Sequence, residues 1–215
     1  MPQCTAVLLN WKRPQNMGRI IDSLRGQSER PELWVVNNAP GSAAFAVDRT
    51  AHIPWNAGVS IRVLMAVYVE TPWVLFVDDD LMPGDANWLA DALKIAEQHR
   101  NVITGCWGRL LDLTPPHYRE DATGFVDIIK GRVMLFRREL LADVRLPAAP
   151  PELDVRFCED IHLSLEVGLC NPVHWADQGL QNRMVELEDN DALCMRPGHG
   201  FERERFCEWY LEWRT

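Results

Sequence analysis

The stretch Trp73-Val74-Leu75-Phe76-Val77-Asp78-Asp79-Asp80 decides how this chain is read: an unbroken apolar run that ends abruptly in three carboxylates. An apolar run of this length bounded by turn signals is a strand buried on both faces, and such strands belong to parallel sheets covered by helices. Working outward, Pro72 starts the strand and a helix from about Gly58 to Glu70 precedes it. Before that, Thr5 to Asn10 reads as a buried strand, and Pro14 to Arg25 as a helix with proline in its first turn. Glu32 to Asn37 reads as a second strand and Asn38 to Ser42 as a turn. A short helix around Ser42 to Val47 and a brief strand near His52 to Trp55 follow. Beyond the carboxylates, Asp85 is positioned to cap a helix running to about His99, and Val102 to Trp107 reads as the next strand. This alternation is that of βα units feeding a mostly parallel sheet, an α/β fold.

After Trp107 the alternation fails. Leu111 to Gly124, with Pro115, Pro116, His117 and Tyr118, reads as an exposed loop. Phe125 to Phe136 reads as strand with Gly131 inside it, Pro147 to Pro151 as a rigid turn, Cys158 to Val167 as a helix, and Phe201 to Trp213 as a helical tail. No repeat or linker divides the chain, so residues 1–215 are expected to form one domain.

With 22 basic against 31 acidic residues the net charge is −9, which disfavours a nucleic-acid partner. A local basic edge from Arg132, Arg137 and Arg138 is the exception to watch. The start of the chain lacks the pattern of a secretory signal, and no apolar run approaches the roughly 20 residues needed to cross a bilayer. A soluble, cytoplasmic protein is the expectation. The six cysteines form no CxxC pair, which argues against structural zinc and for buried, reduced thiols.

Three adjacent carboxylates at the end of a buried strand oppose one another's ionisation, and a hard cation removes that cost. Mg²⁺ or Mn²⁺ takes oxygen ligands and leaves positions for substrate phosphates, so Asp78, Asp79 and Asp80 read as a diphosphate–metal platform. The bland alternative is a solvated acidic turn. His199, flanked by Gly198 and Gly200, is the candidate to complete a metal site with Asp78 and Asp80, and His174 is its rival. Glu159 and Asp160 open a predicted helix, where helix capping explains them by itself; their functional reading is a general base. Asn56, Ala57 and Gly58 ahead of Arg62 read as a helix start facing an anion, or equally as an ordinary amphipathic surface. Asn10, Trp11 and Arg13 leave the first strand at its carboxyl end, where amide and aromatic groups would suit a nucleotide base; the bland alternative is an ordinary strand-to-helix turn with Pro14 as the first helical residue.

The order of these pieces resembles the GT-A glycosyltransferases, above all the large family-2-like group. Ala6-Val7-Leu8-Leu9-Asn10-Trp11 with Arg13 and Glu32-Leu33-Trp34-Val35-Val36-Asn37-Asn38 look like that group's first two strands. Asn56-Ala57-Gly58 with Arg62 resembles its Asn-x-Gly and helix arginine. Val77-Asp78-Asp79-Asp80 resembles its DxD motif, Lys130-Gly131-Arg132 its acceptor-side strand, and Cys158-Glu159-Asp160 its Glu-Asp pair. The resemblance covers roughly Thr5 to Trp175.

It implies a nucleotide-binding half over about 1–107 and an acceptor-binding half over about 108–215. The donor is a nucleotide-sugar, with a UDP-sugar favoured, although Asn37-Asn38 stands where many relatives carry an aspartate that contacts the base. Asn10, Trp11, Arg13, Asn38, Asn56, Gly58, Arg62, Asp78 and Asp79 are its expected contacts. A divalent metal, Mn²⁺ or Mg²⁺, is held by Asp80, Asp78 and His199. For a transfer of a single sugar with inversion, the favoured course, Asp160 is the base with Glu159 as fallback; for a retaining transfer Asp160 instead orients the acceptor or stabilises oxocarbenium-like charge. The Gln-x-x-Arg-Trp signature of processive synthases is missing. The acceptor, whether glycan, protein, small molecule or modified base, has no readable code. The rivals are a catalytically silent nucleotide-sugar-binding or scaffolding protein, and a sugar nucleotidyltransferase, whose Gly-rich loop after the first strand is absent here.

Overall fold

A computed structural model describes residues 1–41, 44–113, 116–145, 154–168, 174–187 and 197–214. Its strands are β1 (Cys4–Asn10), β2 (Glu32–Asn37), β3 (Arg49–His52), β4 (Trp73–Val77), β5 (Leu81–Pro83), β6 (Thr104–Gly105), β7 (Gly108–Leu113), β8 (Pro116–Ala122), β9 (Gly124–Val126), β10 (Ile128–Ile129), β11 (Val133–Arg137), β12 (His174–Ala176) and β13 (Met184–Glu186). Its helices are α1 (Pro14–Arg25), α2 (Ile61–Ala66), α3 (Trp88–Gln98), α4 (Glu159–Gly168), α5 (Gln178–Gln181) and α6 (His199–Arg214).

Among the described residues, eight strands form the central sheet in the order β3-β2-β1-β4-β11-β6-β12-β9. β11 and β9 run against the other strands, so the sheet is mostly parallel, as expected. Period-two alternation sends successive side chains to opposite faces. On one face Ala6, Leu8, Val35, Leu75 and Leu135 pack against Met17, Ile20 and Leu24 of α1 and Trp88 and Leu89 of α3. On the other, Val7, Val36, Phe76 and Phe136 pack against Val63 of α2 and Leu163 of α4. Burial on both faces is why these strands read as continuous apolar runs. A third cluster joins Cys158, Ile161 and Leu165 to Phe206, Cys207 and Tyr210, fixing α6 on α4.

Several expected elements differ. Residues 44–47 are irregular, and the strand near His52 starts earlier, as β3. The helix expected from Gly58 is the six-residue α2, and α3 starts at Trp88 rather than beside Asp85, whose carboxylate instead accepts the Asn87 N–H at 2.9 Å and pairs with Arg183. Val102 to Trp107 shortens to β6, and Phe125 to Phe136 divides into β9, β10 and β11 around a turn at Gly131. Leu111 to Gly124 is largely not a loop: β7 and β8 pair antiparallel from Gly108↔Ala122 to Leu113↔Pro116. Pro116 stands at the first residue of its strand, a place in a sheet that tolerates a missing N–H. The Pro147–Pro151 turn lies outside the described residues. Cys4, Cys106, Cys158 and Cys207 are buried and free, while Cys170 and Cys194 also lie outside. Among the described residues no helix is long and apolar enough to cross a membrane.

Candidate active site

β1 and β4 are parallel neighbours in register from Cys4↔Trp73 to Leu8↔Val77, so the segments that leave them do so side by side. This is the carboxyl edge, where open α/β sheets bind ligands. Lys12, at φ 65°, turns the chain there. The Trp11 N–H then reaches Asp79 Oδ2 at 3.2 Å, and Arg13 Nη1 lies 2.5 Å from Asp79 Oδ1 and 3.9 Å from Asp80 Oδ2. Burial pushes the Asp79 carboxyl up to about 6 against the pull of Arg13, and Asp78 adds to the rise. The carboxylates therefore divide between two guanidinium groups: Asp79, and at longer range Asp80, face Arg13, while Asp78 pairs with Arg62 at 2.7 Å.

Arg62 is 1% exposed and organises the centre of the site. Besides Asp78, it donates to the Gly131 carbonyl at 2.8 Å and to Glu159 Oε1 at 2.5 Å. Burial opposes its charge, but Asp78 and Glu159 outweigh that and hold the guanidinium protonated more firmly than usual. Burial also pushes Glu159 up, to about 7, against the pull of Arg62. Gly131 is the hinge of the arrangement. A Cβ there would stand 2.8 Å from Arg62 Nη2 and 2.9 Å from Glu159 Oε1, so any larger residue has to displace the ends of these two buried, mutually bonded side chains.

Asp160 Oδ2 accepts the Gly131 N–H at 3.0 Å and Arg203 Nη2 at 2.7 Å, and Oδ1 accepts the Ile161 N–H at 2.9 Å. Burial alone would raise this carboxyl. Arg203 and the two backbone donors outweigh it and hold Asp160 below the usual carboxylate range.

Trp11, Arg13, Arg62, Asp78, Asp79, Asp80, Glu159, Asp160 and His199 all line one cavity of about 650 Å³, within the usual range for small-molecule sites. Asn10, Asn38, Asn56 and Gly58 are placed behind its wall instead. Asn10 bonds Asn37 at 2.8 Å, and Asn38 bonds Asn56, the Gly58 carbonyl and the Ala57 N–H. Asn56 Oδ1 takes the Gly58 N–H at 2.9 Å. The N–H groups expected to face an anion are thus spent on a turn, and Gly58, at φ 79°, presses on Arg156 where a Cβ would come within 2.3 Å of that residue's Cβ. His174 is fully buried on β12, its ring between the Ile103 N–H at 3.0 Å and the Ser164 carbonyl at 2.8 Å, and does not line the cavity. Of the basic edge, Arg132 lines the cavity, whereas Arg137 and Arg138 lie at the far end of β11 beside Trp73 and Val69.

Sequence reasoning missed Arg203, Arg109 and Lys130. For Arg203 a signal existed: it stands four residues after His199 in the tail helix, hence on the same face. Arg109 and Lys130 share Asp121 at 3.0 and 2.7 Å across the β7–β8 hairpin, a pairing invisible while that hairpin reads as loop.

Among the described residues no three His, Cys, Asp or Glu side chains converge on a common point. The donor set suits a hard cation that takes only one or two protein carboxylates and completes its shell with phosphate oxygens. Asp78, with its side chain 32% exposed, Asp80 and His199 line the cavity in which such a cation would sit.

No protein-family model and no curated protein matches the chain. Among solved structures, the fold is shared with the mannosyltransferase PcManGT from Pyrobaculum calidifontis in complex with GDP-Man and Mn²⁺. The TM-score is 0.66 and the identity 16%, over 100% of this chain and 65% of that one. It is also shared with TarS of S. aureus, at TM-score 0.56 and 17% identity, over 81% of this chain and 35% of that one. The chain therefore spans less than two thirds of the length of either. The fold is GT-A-like, as the sequence led one to expect.

Proposed function

We propose that the chain is a metal-dependent glycosyltransferase that moves a single sugar from a nucleotide-sugar to an acceptor hydroxyl with inversion. The observation that carries this is one cavity joining the carboxylates Asp78 to Asp80 at the end of β4 to Asp160 at the start of α4. The nucleotide-binding half is about 1–107 and the acceptor-binding half about 108–215. Trp11 and Arg13 line the donor end, and Asp78 and Asp80 are the carboxylates that would hold Mn²⁺ or Mg²⁺ together with the donor's phosphates; His199, the third ligand expected, lines the same cavity without converging on them. When bound, the metal supplies Lewis-acid stabilisation of the departing diphosphate.

Asp160 carries the proton chemistry. Its carboxylate takes the acceptor's hydroxyl proton as the acceptor oxygen bonds to the anomeric carbon, and the bond from that carbon to the diphosphate breaks with its electron pair leaving on the nucleotide. Glu159 is the fallback, because its Oε1 engages at 2.5 Å an Arg62 that is 1% exposed and also tied to Asp78 and Gly131, whereas the guanidinium that meets Asp160, that of Arg203, is 15% exposed. Uridine was the expected nucleotide, while PcManGT is seen with GDP-Man. Both belong in the test.

That test is calorimetric titration with UDP and GDP, with and without Mn²⁺, on the wild type and on an Asp78→Asn, Asp80→Asn double variant. Metal-dependent binding of one nucleotide, lost in the variant, is the expected result. Binding of neither nucleotide defeats the reading.

A further inference from the structure

Asp160 is restrained in a way that a base should not be. Three of the roughly four lone-pair sites of a carboxylate are occupied, by Gly131 N–H, Ile161 N–H and Arg203. The backbone donors are fixed by the fold, whereas Arg203 brings a full charge. A carboxylate whose anion is held this firmly accepts a proton poorly, since hydrogen bonds to the charged form lower its basicity. A base in this position becomes effective when the guanidinium lets go.

Arg203 is built to do so without any movement of the backbone. Its helix, α6, is anchored one turn further on by Phe206, Cys207 and Tyr210 against Cys158, Ile161 and Leu165, and Tyr210 bonds Glu166. Its side chain lines the cavity at 15% exposure, and its contact with the Phe157 carbonyl is long, at 3.4 Å. Arg62, by contrast, is 1% exposed and tied to Asp78, Gly131 and Glu159.

We propose that Arg203 is a charge lock on Asp160 that a nucleoside diphosphate releases. This rests on the glycosyltransferase reading above. A diphosphate seated beside Asp78 and Asp80 presents paired anionic oxygens to the guanidinium fork, where Asp160 meets it through Oδ2. Arg203 swings to it, and Asp160 keeps only its two backbone donors. The base is thereby switched on by the donor, and donor precedes acceptor. Arg203 is a positioning residue in this scheme, acting on the acceptor through Asp160.

The test is a double-mutant cycle on nucleotide affinity, which needs no turnover. UDP and GDP are titrated in Mn²⁺ into the wild type, Asp160→Asn, Arg203→Met and the double variant, with thermal melts confirming that each is folded. Arg203→Gln replaces Arg203→Met if the latter is not. Freeing Arg203 by Asp160→Asn is expected to tighten binding about tenfold, and the same change in the Arg203→Met background to shift it less than about twofold. Equal tightening in both backgrounds means that Asp160 merely repels the diphosphate through space, and overturns the lock. Unchanged affinity in Arg203→Met overturns it too. A wild type that binds neither nucleotide sinks the lock together with its parent reading, a result distinct from a wild type that binds without coupling.

Discussion

Arg62 Nη2 and Glu159 Oε1 lie 2.5 Å apart, with side chains 1% and 4% exposed, so a cation from α2 and an anion from α4 are paired out of reach of bulk water. Removing one partner of a buried pair leaves an uncompensated charge, which costs about 3–5 kcal/mol. Arg62→Met is therefore expected to lower unfolding free energy by that amount, and Arg62→Met with Glu159→Gln to regain part of it. Arg62→Lys should also be damaging, because one ammonium cannot reproduce a fork that reaches Asp78, Gly131 and Glu159. Denaturant titration of the set measures each value.

Gly131→Ala places its methyl 2.8 Å from Arg62 Nη2 and 2.9 Å from Glu159 Oε1. Overpacking of this kind costs about 1–3 kcal/mol. Gly18→Ala is the control: its Cβ meets nothing within 4 Å, and Gly18 is exposed within α1. There alanine should stabilise by up to about 1 kcal/mol through helix propensity. Opposite signs in thermal melts are the expected outcome.

His174 gives stability a pH dependence. Burial pushes its pKa down to about 4, well below the ordinary 6.5, against the opposing pull of the Ser164 carbonyl and Asp127. The unfolded chain takes up the proton first, so stability is intact above about 6.5 and is lost as pH falls toward 4, by on the order of 3 kcal/mol. His174→Gln removes this component. Urea titrations between the two values should show a steeper acid-side decline in the wild type than in the variant.

The two candidate bases separate by what each substitution changes. Asp160→Asn should lower sugar transfer by about 10²–10⁴-fold while nucleotide binding persists. Glu159→Gln should act mainly on stability, through Arg62. A variant in which Glu159→Gln abolishes transfer at full stability would reverse the assignment.

The fold's framework was legible because it is local. Unbroken apolar runs, proline at the head of α1 and three carboxylates closing β4 are properties of neighbouring residues, and β1, α1, β2, β4 and α4 fell within a residue or so of their expected bounds. The β7–β8 hairpin was not legible. Pro115, Pro116 and the polar residues after them carry turn chemistry, and their pairing with Gly108 to Leu113 comes from the opposite strand.

By itself the sequence determined an α/β sheet covered on both faces, with carboxylates at the edge where ligands bind, since side-chain type and spacing suffice for burial and period. Only the tertiary structure decided which cation meets which anion. It made Arg62 the clamp between Asp78 and Glu159 on the cavity wall, and it left Asn10, Asn38 and Asn56 out of the cavity lining. It also brought Arg203 to Asp160 across 43 residues. Charge pairing is fixed by distance in space, and a sequence records distance only along the chain.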